Sequence, residues 1–392
     1  MASHPSPVPA RSRWLGCLIG GAVGDALGNP IEFLSLAEIR ERFGSDGLRT
    51  YAPVGDRRGV ISDDTQMSLF TAEGLIRASN RWAVRGLVNE TFVVWRAYER
   101  WLETQEHLFD RRPSREDSSA GWLISQPALF DVQAPGMTCL SALQNGEPGT
   151  IPASNFPHWS PSYDLQVVDE DAAEEREVVW SRRDAPDPVM ALNNSKGCGG
   201  VMRVAPVGLV ADDPFLVGAQ VAALTHGHPT GYLAAGAFCR IVAELRDGSP
   251  MKEAAETALV EHRRWPEHSE TAQALDAALR QAEGSDASPE SVEELGGGWV
   301  AEEALAIAVF SALKAETFLD GVSLAANHGG DSDSTAAIAG NLLGTMWGVE
   351  AIPTELADGL EAGDLVRQVA GDLARCFLDH DRPYDIKRYP PT

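Results

Sequence analysis

Paired or clustered cysteines are missing from this chain of 392 residues. The five cysteines, Cys17, Cys139, Cys198, Cys239 and Cys376, are odd in number and far apart, with no CxxC and no Cys/His cluster. That spacing excludes a zinc-finger site and a disulfide framework, and it fits a reducing cytoplasm. Also missing is any uninterrupted apolar run of about 18 residues, so no segment reads as a transmembrane helix. The opening residues, MASHPSPVPARSR, are Pro-rich and lack the apolar stretch of a secretory signal. Basic residues are in short supply: 32 Lys and Arg against 57 Asp and Glu give a formal charge of −25. Such a surface repels phosphate backbones and anionic lipid, which argues against nucleic-acid and membrane-surface partners. Period-two alternation is scarce and no repeat of solenoid length recurs, so large sheets and repeat arrays are disfavoured.

With 44% apolar and 23% charged residues, the chain has the composition of a folded protein. Its length accommodates two or three domains, or one large enzyme with long loops. Helical periodicity dominates. It predicts helices over Trp14–Gly28, from Thr65 to Ile76, over Gly231–Leu245, Met251–Glu283 and Ala301–Leu319, and onward from Ser334. All-α is the expected class. In the first helix Gly20, Gly24 and Gly28 fall four apart on one face, the spacing of a close helix–helix contact. A polar stretch rich in Pro, Ser and Asp, about 152–188, reads as a long surface insertion, and Phe109–Ser119 as a loop. Residues 1–13 are expected to be a disordered extension, 14–380 a single domain, and 381–392 a polar tail lying as a strap on the surface.

Two acidic clusters carry the chemistry. One is Ser62-Asp63-Asp64-Thr65; the other is Gly330-Asp331-Ser332-Asp333-Ser334-Thr335; each opens a predicted helix. Asp and Ser are favoured helix caps, so either cluster alone has a bland explanation. Two matching clusters are harder to explain that way, because gathering their carboxylates without a cation costs several kcal/mol of repulsion. Oxygen-only donors of this kind suit hard cations such as Mg²⁺ or Mn²⁺. Between the clusters lies the glycine-rich run Ser195-Lys196-Gly197-Cys198-Gly199-Gly200, which suits phosphate held by backbone N–H groups. It is neither a Walker A loop nor a dinucleotide fingerprint. Downstream, Thr225-His226-Gly227-His228-Pro229 places two histidines around a turn, a pattern more often structural than ligating.

Taken together these motifs resemble the ADP-ribosylglycohydrolase family, which includes ADP-ribosyl-acceptor hydrolases and dinitrogenase-reductase-activating glycohydrolases. The carriers are GCLIGGAVGDALGNPIEF (Gly16–Phe33), SDDTQMSL (Ser62–Leu69), SKGCGGVMRVAPVGL (Ser195–Leu209), THGHPTGYLAAGAF (Thr225–Phe238) and HGGDSDSTAAIAGNLLG (His328–Gly344). The resemblance implies an all-α, single-domain orthogonal helical bundle with a central cleft holding two Mg²⁺ or Mn²⁺ ions. It implies Ser62, Asp63, Asp64, Asp331, Asp333 and Ser334 as ligands, with Ser where relatives often have Thr. Glu32 matches a glutamate that in some members lies at the metal site, where it can coordinate or act as acid/base; Asp63 and Asp64 are further candidates for proton transfer. Ser195, Lys196, Gly197, Cys198, Gly199 and Gly200 would cradle the diphosphate, with His226 near the ADP-ribose.

The implied reaction is hydrolysis of the glycosidic bond between ADP-ribose and an acceptor, arginine on a protein first, in a monomeric cytoplasmic enzyme. Another linkage (serine, nucleobase, poly(ADP-ribose) or a metabolite) is the alternative, as is a non-catalytic crystallin-like relative. Two features depart from the pattern. The nitrogenase-regulating branch tends to carry an acid just before a Gly-x-Thr step, where this chain reads Gln133-Ala134-Pro135-Gly136-Met137-Thr138. The insertion is also longer than usual, a candidate lid or partner surface.

Overall fold

Small residues decide how the two ends of the chain meet. In the computed structural model, which describes residues 8–108, 121–151, 155–156 and 193–391, the helix Ala10–Gly28 lies antiparallel against the helix Ser332–Trp347. Gly16 faces Gly344, Gly20 faces Gly340, Gly24 faces Ala336 and Gly28 faces Ser332. A Cβ placed on Gly24 would stand 1.9 Å from the Ala336 carbonyl oxygen, so the backbones touch with no room for a side chain. The predicted small-residue face is therefore a real contact, and it brings the end of the first helix beside the second acidic cluster.

Sixteen α-helices and one two-stranded ribbon (Pro53–Val54 paired with Arg57–Arg58) make up the described residues, which confirms the all-α expectation. The core is a continuous packing of helix faces around aromatic side chains that include Phe70, Trp95, Tyr98, Trp101 and Phe310. Among the described residues no helix is long and apolar enough to cross a membrane.

Several boundaries differ from the sequence reading. The first helix begins at Ala10, inside the segment expected to be disordered, about one turn before the predicted start at Trp14. The predicted Met251–Glu283 helix is two, Met251–His262 and Ser269–Gly284, because Pro266 cannot continue the hydrogen-bond ladder. Likewise Ala301–Leu319 stops at Lys314, and Thr317 caps a new helix, Phe318–Ala326, by accepting from the Asp320 N–H. The tail is pinned rather than draped. Asn80 and the backbone of Tyr384 exchange hydrogen bonds of 2.7 Å, and the Tyr389 hydroxyl donates to buried Asp372 at 2.8 Å. The Phe109–Ser119 loop and the 152–188 insertion, apart from Asn155 and Phe156, lie outside the described residues.

Candidate metal centre

Both acidic clusters do start helices, so the capping explanation holds for part of each. Ser62 precedes the helix Asp63–Arg85, and its hydroxyl accepts from the Asp64 N–H at 3.3 Å. Asp331 precedes the helix Ser332–Trp347 and accepts from the Ser334 N–H at 3.2 Å; Asp333 accepts from the same N–H at 3.0 Å. Capping does not account for the rest. Asp64 Oδ1 is buried and accepts no hydrogen bond among the described residues. Asp63 also accepts from the Gly136 N–H at 3.2 Å, 73 residues further along.

The fold brings the clusters together with Glu32. That residue follows the single turn Asn29–Ile31, directly after the first helix, where Gly28 touches Ser332. Glu32, Asp331 and Asp333 each place a carboxylate oxygen within 4.8 Å of the others, a spacing that one cation can bridge. Glu32 is half-buried; Ser62, Asp63, Asp64, Asp331, Asp333 and Ser334 are all buried.

Burial pushes every one of these carboxyls upward, and repulsion from neighbouring carboxylates adds to it at all but Asp333. Glu32 is raised to about 10, first by burial, then by Asp333, Asp331 and Asp63. Asp63 is raised to about 8 by burial, against the bond from Gly136 that favours its charged form. Asp64 and Asp331 are held well above the carboxylate range, by burial first and Asp333 second, and burial raises Asp333. A metal-free cluster therefore holds protons near neutral pH, and bound divalent charge would displace them. The donor set fits that role: all oxygen, crowded, and with one carboxylate oxygen still lacking a partner.

The glycine-rich loop lies against this cluster. Its backbone is fixed by a bridge between Gly197 and Val300 and by the Cys198 N–H donating to the Trp299 carbonyl at 3.2 Å. Ser195 exchanges a 3.0 Å hydrogen bond with Thr138 and accepts from the Gly197 N–H. Gly199 and Gly200 are buried in the turn Cys198–Gly200. His226 lies beneath the loop, with its ring 3.2 Å from where a Cβ on Gly199 would stand. Its Nδ1 faces Thr225 Oγ1 at 2.9 Å, and burial, followed by Arg203, lowers its pKa to about 3. The imidazole is thus neutral and packed as a support. Lys196 points elsewhere: its ammonium is engaged by Glu270 at 2.8 Å and by Glu302. The Cys198 side chain also turns from the loop, donating to Asp331 Oδ2 at 2.8 Å.

Asp25 is the residue that the sequence reading passed over. It is fully buried in the first helix, and its carboxylate accepts from the Ser62 N–H at 3.0 Å, the Thr65 N–H at 3.1 Å and the Thr65 hydroxyl. One carboxylate thereby ties the first helix to the start of the Asp63–Arg85 helix, where its negative charge complements the positive end of the helix dipole. The available signal was its isolation: between Trp14 and Gly28 it is the one charged residue in an apolar, glycine-rich stretch.

Comparison with known proteins places the chain among its relatives. The family model described as ADP-ribosylglycohydrolase matches residues 6–382. The ADP-ribosyl-[dinitrogen reductase] glycohydrolase of Rhodospirillum rubrum is 26% identical over 379 residues, covering 94% of this chain and 97% of that protein. A protein of Archaeoglobus fulgidus is 26% identical over 368 residues, covering 92% of this chain and 95% of its own length. A solved structure named ADP-ribosylglycohydrolase-related protein complex shares the fold, with a TM-score of 0.57 at 23% identity, covering 93% of this chain and 98% of that one.

Proposed function

Since the chain belongs to the ADP-ribosylglycohydrolase family, an enzyme family, we propose that it cleaves the N-glycosidic bond joining ADP-ribose to arginine on a modified protein, using two divalent cations. The observation that carries this reading is the meeting of Glu32, Asp331 and Asp333 at a spacing suited to a cation, beside the buried and partnerless Asp64 oxygen. Ser62, Asp63, Asp64, Asp331, Asp333 and Ser334 would hold the ions. Mg²⁺ or Mn²⁺ bound there supplies Lewis acidity and positive charge that offsets both the protein's acidity and the dianionic diphosphate. Glu32, the half-exposed carboxyl of the group, carries the proton: it delivers it to the leaving nitrogen or takes it from the attacking water. The glycine loop positions the diphosphate with its backbone, since Lys196 is engaged by Glu270 and Glu302. His226 supports that loop from below as a neutral ring.

A second reading concerns the acceptor. The 133–138 stretch borders the site, because Gly136 donates to Asp63 and Thr138 meets Ser195. It has no carboxylate to meet a guanidinium, and Asp131 nearby is ion-paired with Arg57 at 2.7 Å. A neutral or hydroxyl-linked acceptor such as ADP-ribosylated serine fits such a rim. The test is release of free ADP-ribose from arginine-linked and serine-linked substrates with Mg²⁺ or Mn²⁺, using EDTA and Asp331→Asn as controls. Cation-dependent release from the arginine substrate, lost in the variant, supports the first reading. Release from serine alone moves the assignment to the second. Release that EDTA and the variant leave intact overturns the cation centre.

A further inference from the structure

We propose that the Cys198 sulfur is an additional donor to the cation centre, a soft ligand among oxygens that tilts the site toward Zn²⁺ and Cd²⁺ over Mg²⁺ and Mn²⁺. The proposal rests on the reading above, that these acidic residues hold divalent ions. Among the five cysteines, four are buried, and Cys198 is the half-buried one. Its sulfur lies 2.8 Å from Asp331 Oδ2 and 3.7 Å from the Ser334 hydroxyl, two groups already in the ligand set. Asp64, whose Oδ1 has no hydrogen-bond partner among the described residues, belongs to the same ligand set. The Asp331 and Ser334 oxygens and the Cys198 sulfur, from two separate segments, thus face one small region. Nothing about the placement is loose, because the Cys198 N–H is held by the Trp299 carbonyl and the preceding Gly197 pairs with Val300. Cys139, the neighbouring thiol, gives the contrast: its sulfur faces the Arg203 guanidinium at 3.3 Å and the Gly199 carbonyl.

Binding is an exchange without redox change. The S–H bond breaks, the proton leaves to solvent, and a sulfur–cation bond forms in its place. Thiolate is a soft ligand that favours softer ions, whereas Mg²⁺ favours oxygen. The usual bland explanation for such a cysteine is packing as a small apolar side chain, and that explanation does not place a sulfur on a buried carboxylate.

The experiment uses the full chain, stripped with chelator and titrated with Cd²⁺. Sulfur-to-metal charge-transfer absorbance is read in the near ultraviolet, and heats are measured for Cd²⁺, Mn²⁺ and Mg²⁺. The band is expected in the wild type and in Cys139→Ser and absent from Cys198→Ser. Cd²⁺ affinity should fall by at least about 10–100-fold in Cys198→Ser, the loss that even outer-shell changes produce, while Mg²⁺ affinity stays within about threefold. Circular dichroism of each variant verifies the fold. Cd²⁺ binding heat with no band, or a band that survives in Cys198→Ser, overturns the sulfur ligand and leaves the oxygen centre standing. Absence of heat with all three ions overturns the centre and the sulfur ligand together.

Discussion

Asp333→Asn should stabilise the metal-free protein and abolish its response to cations. The Asp333 carboxylate lies within 4.8 Å of those of Glu32 and Asp331. At an effective dielectric of about 20, each fully ionised pair at that distance repels by about 3 kcal/mol. Protonation already relieves part of this, since Glu32 is raised to about 10. The amide oxygen of Asn can still accept from the Ser334 N–H that Asp333 now binds. A net gain of about 2 kcal/mol at pH 8 follows, which for 392 residues is a rise of about 2–3 °C in Tm. Wild type at a cation concentration about 100 times its Kd should gain about 2.7 kcal/mol, or about 3 °C; the variant should gain almost nothing.

The pH dependence follows from the same shifts. Asp63 moves from 3.8 to about 8 and Asp25 from 3.8 to about 7 on folding. Between those limits the folded state binds more protons than the unfolded, so metal-free stability falls as pH rises from about 4 toward 8. The advantage of the variant should accordingly shrink at about pH 5, where the folded cluster is protonated in both proteins. Thermal unfolding in EDTA, with and without Mn²⁺, at both pH values is the assay. A variant less stable than wild type in EDTA at pH 8, and still stabilised by Mn²⁺, would refute the argument.

Other perturbations act on the parts separately. Gly24→Ala places a Cβ 1.9 Å from the Ala336 carbonyl; it should cost about 1–3 kcal/mol of overpacking and weaken Mn²⁺ stabilisation, both read by thermal unfolding. Glu32→Gln should lower kcat for ADP-ribose release by about 10²–10⁴-fold, with a smaller loss in Mn²⁺ affinity than Asp331→Asn shows by calorimetry. Asp25→Ala should lower stability by several kcal/mol, about 1–3 for each buried donor left without its partner at Ser62 and Thr65; equal Tm values would remove its positioning role. Lys196→Ala should leave ADP-ribose affinity within about threefold, because its ammonium is already engaged by Glu270 and Glu302; a larger loss by calorimetry would return the lysine to the diphosphate.

What could be read from the sequence was what local rules encode. The four-residue spacing of Gly20, Gly24 and Gly28 announced a close helix contact, and the Ser-Asp-Asp and Asp-Ser-Asp-Ser runs announced helix starts rich in oxygen donors. Local rules also explain the errors that they could have prevented: Pro266 and Thr317 mark the breaks that periodicity alone ran through. The rest depends on long-range placement. Lys196 is paired by Glu270 and Glu302, which lie 74 and 106 residues further along and have no signature tying them to the loop. Cys198 could be assigned to the loop it sits in, but only the fold shows its sulfur on Asp331.

The first helix links these observations, although it contributes no ligand of its own to the expected set. A crowded group of buried carboxylates pushes apart, and a flexible mounting would let it relax until no cation-binding geometry remained. The Ala10–Gly28 helix removes that freedom in two directions. Its glycine face holds the Ser332–Trp347 helix at backbone contact, and Asp25 grips Ser62 and Thr65 at the start of the other acidic helix. Its end then delivers Glu32 to the gap between them. Widening either joint should act on both clusters at once, so Gly24→Ala and Asp25→Ala should each weaken Mn²⁺ binding without touching a ligand. Their combined loss should differ from the sum of the separate ones, because both joints belong to one rigid element. Additive losses in calorimetric Mn²⁺ affinity would mean that the two acidic helices are held independently.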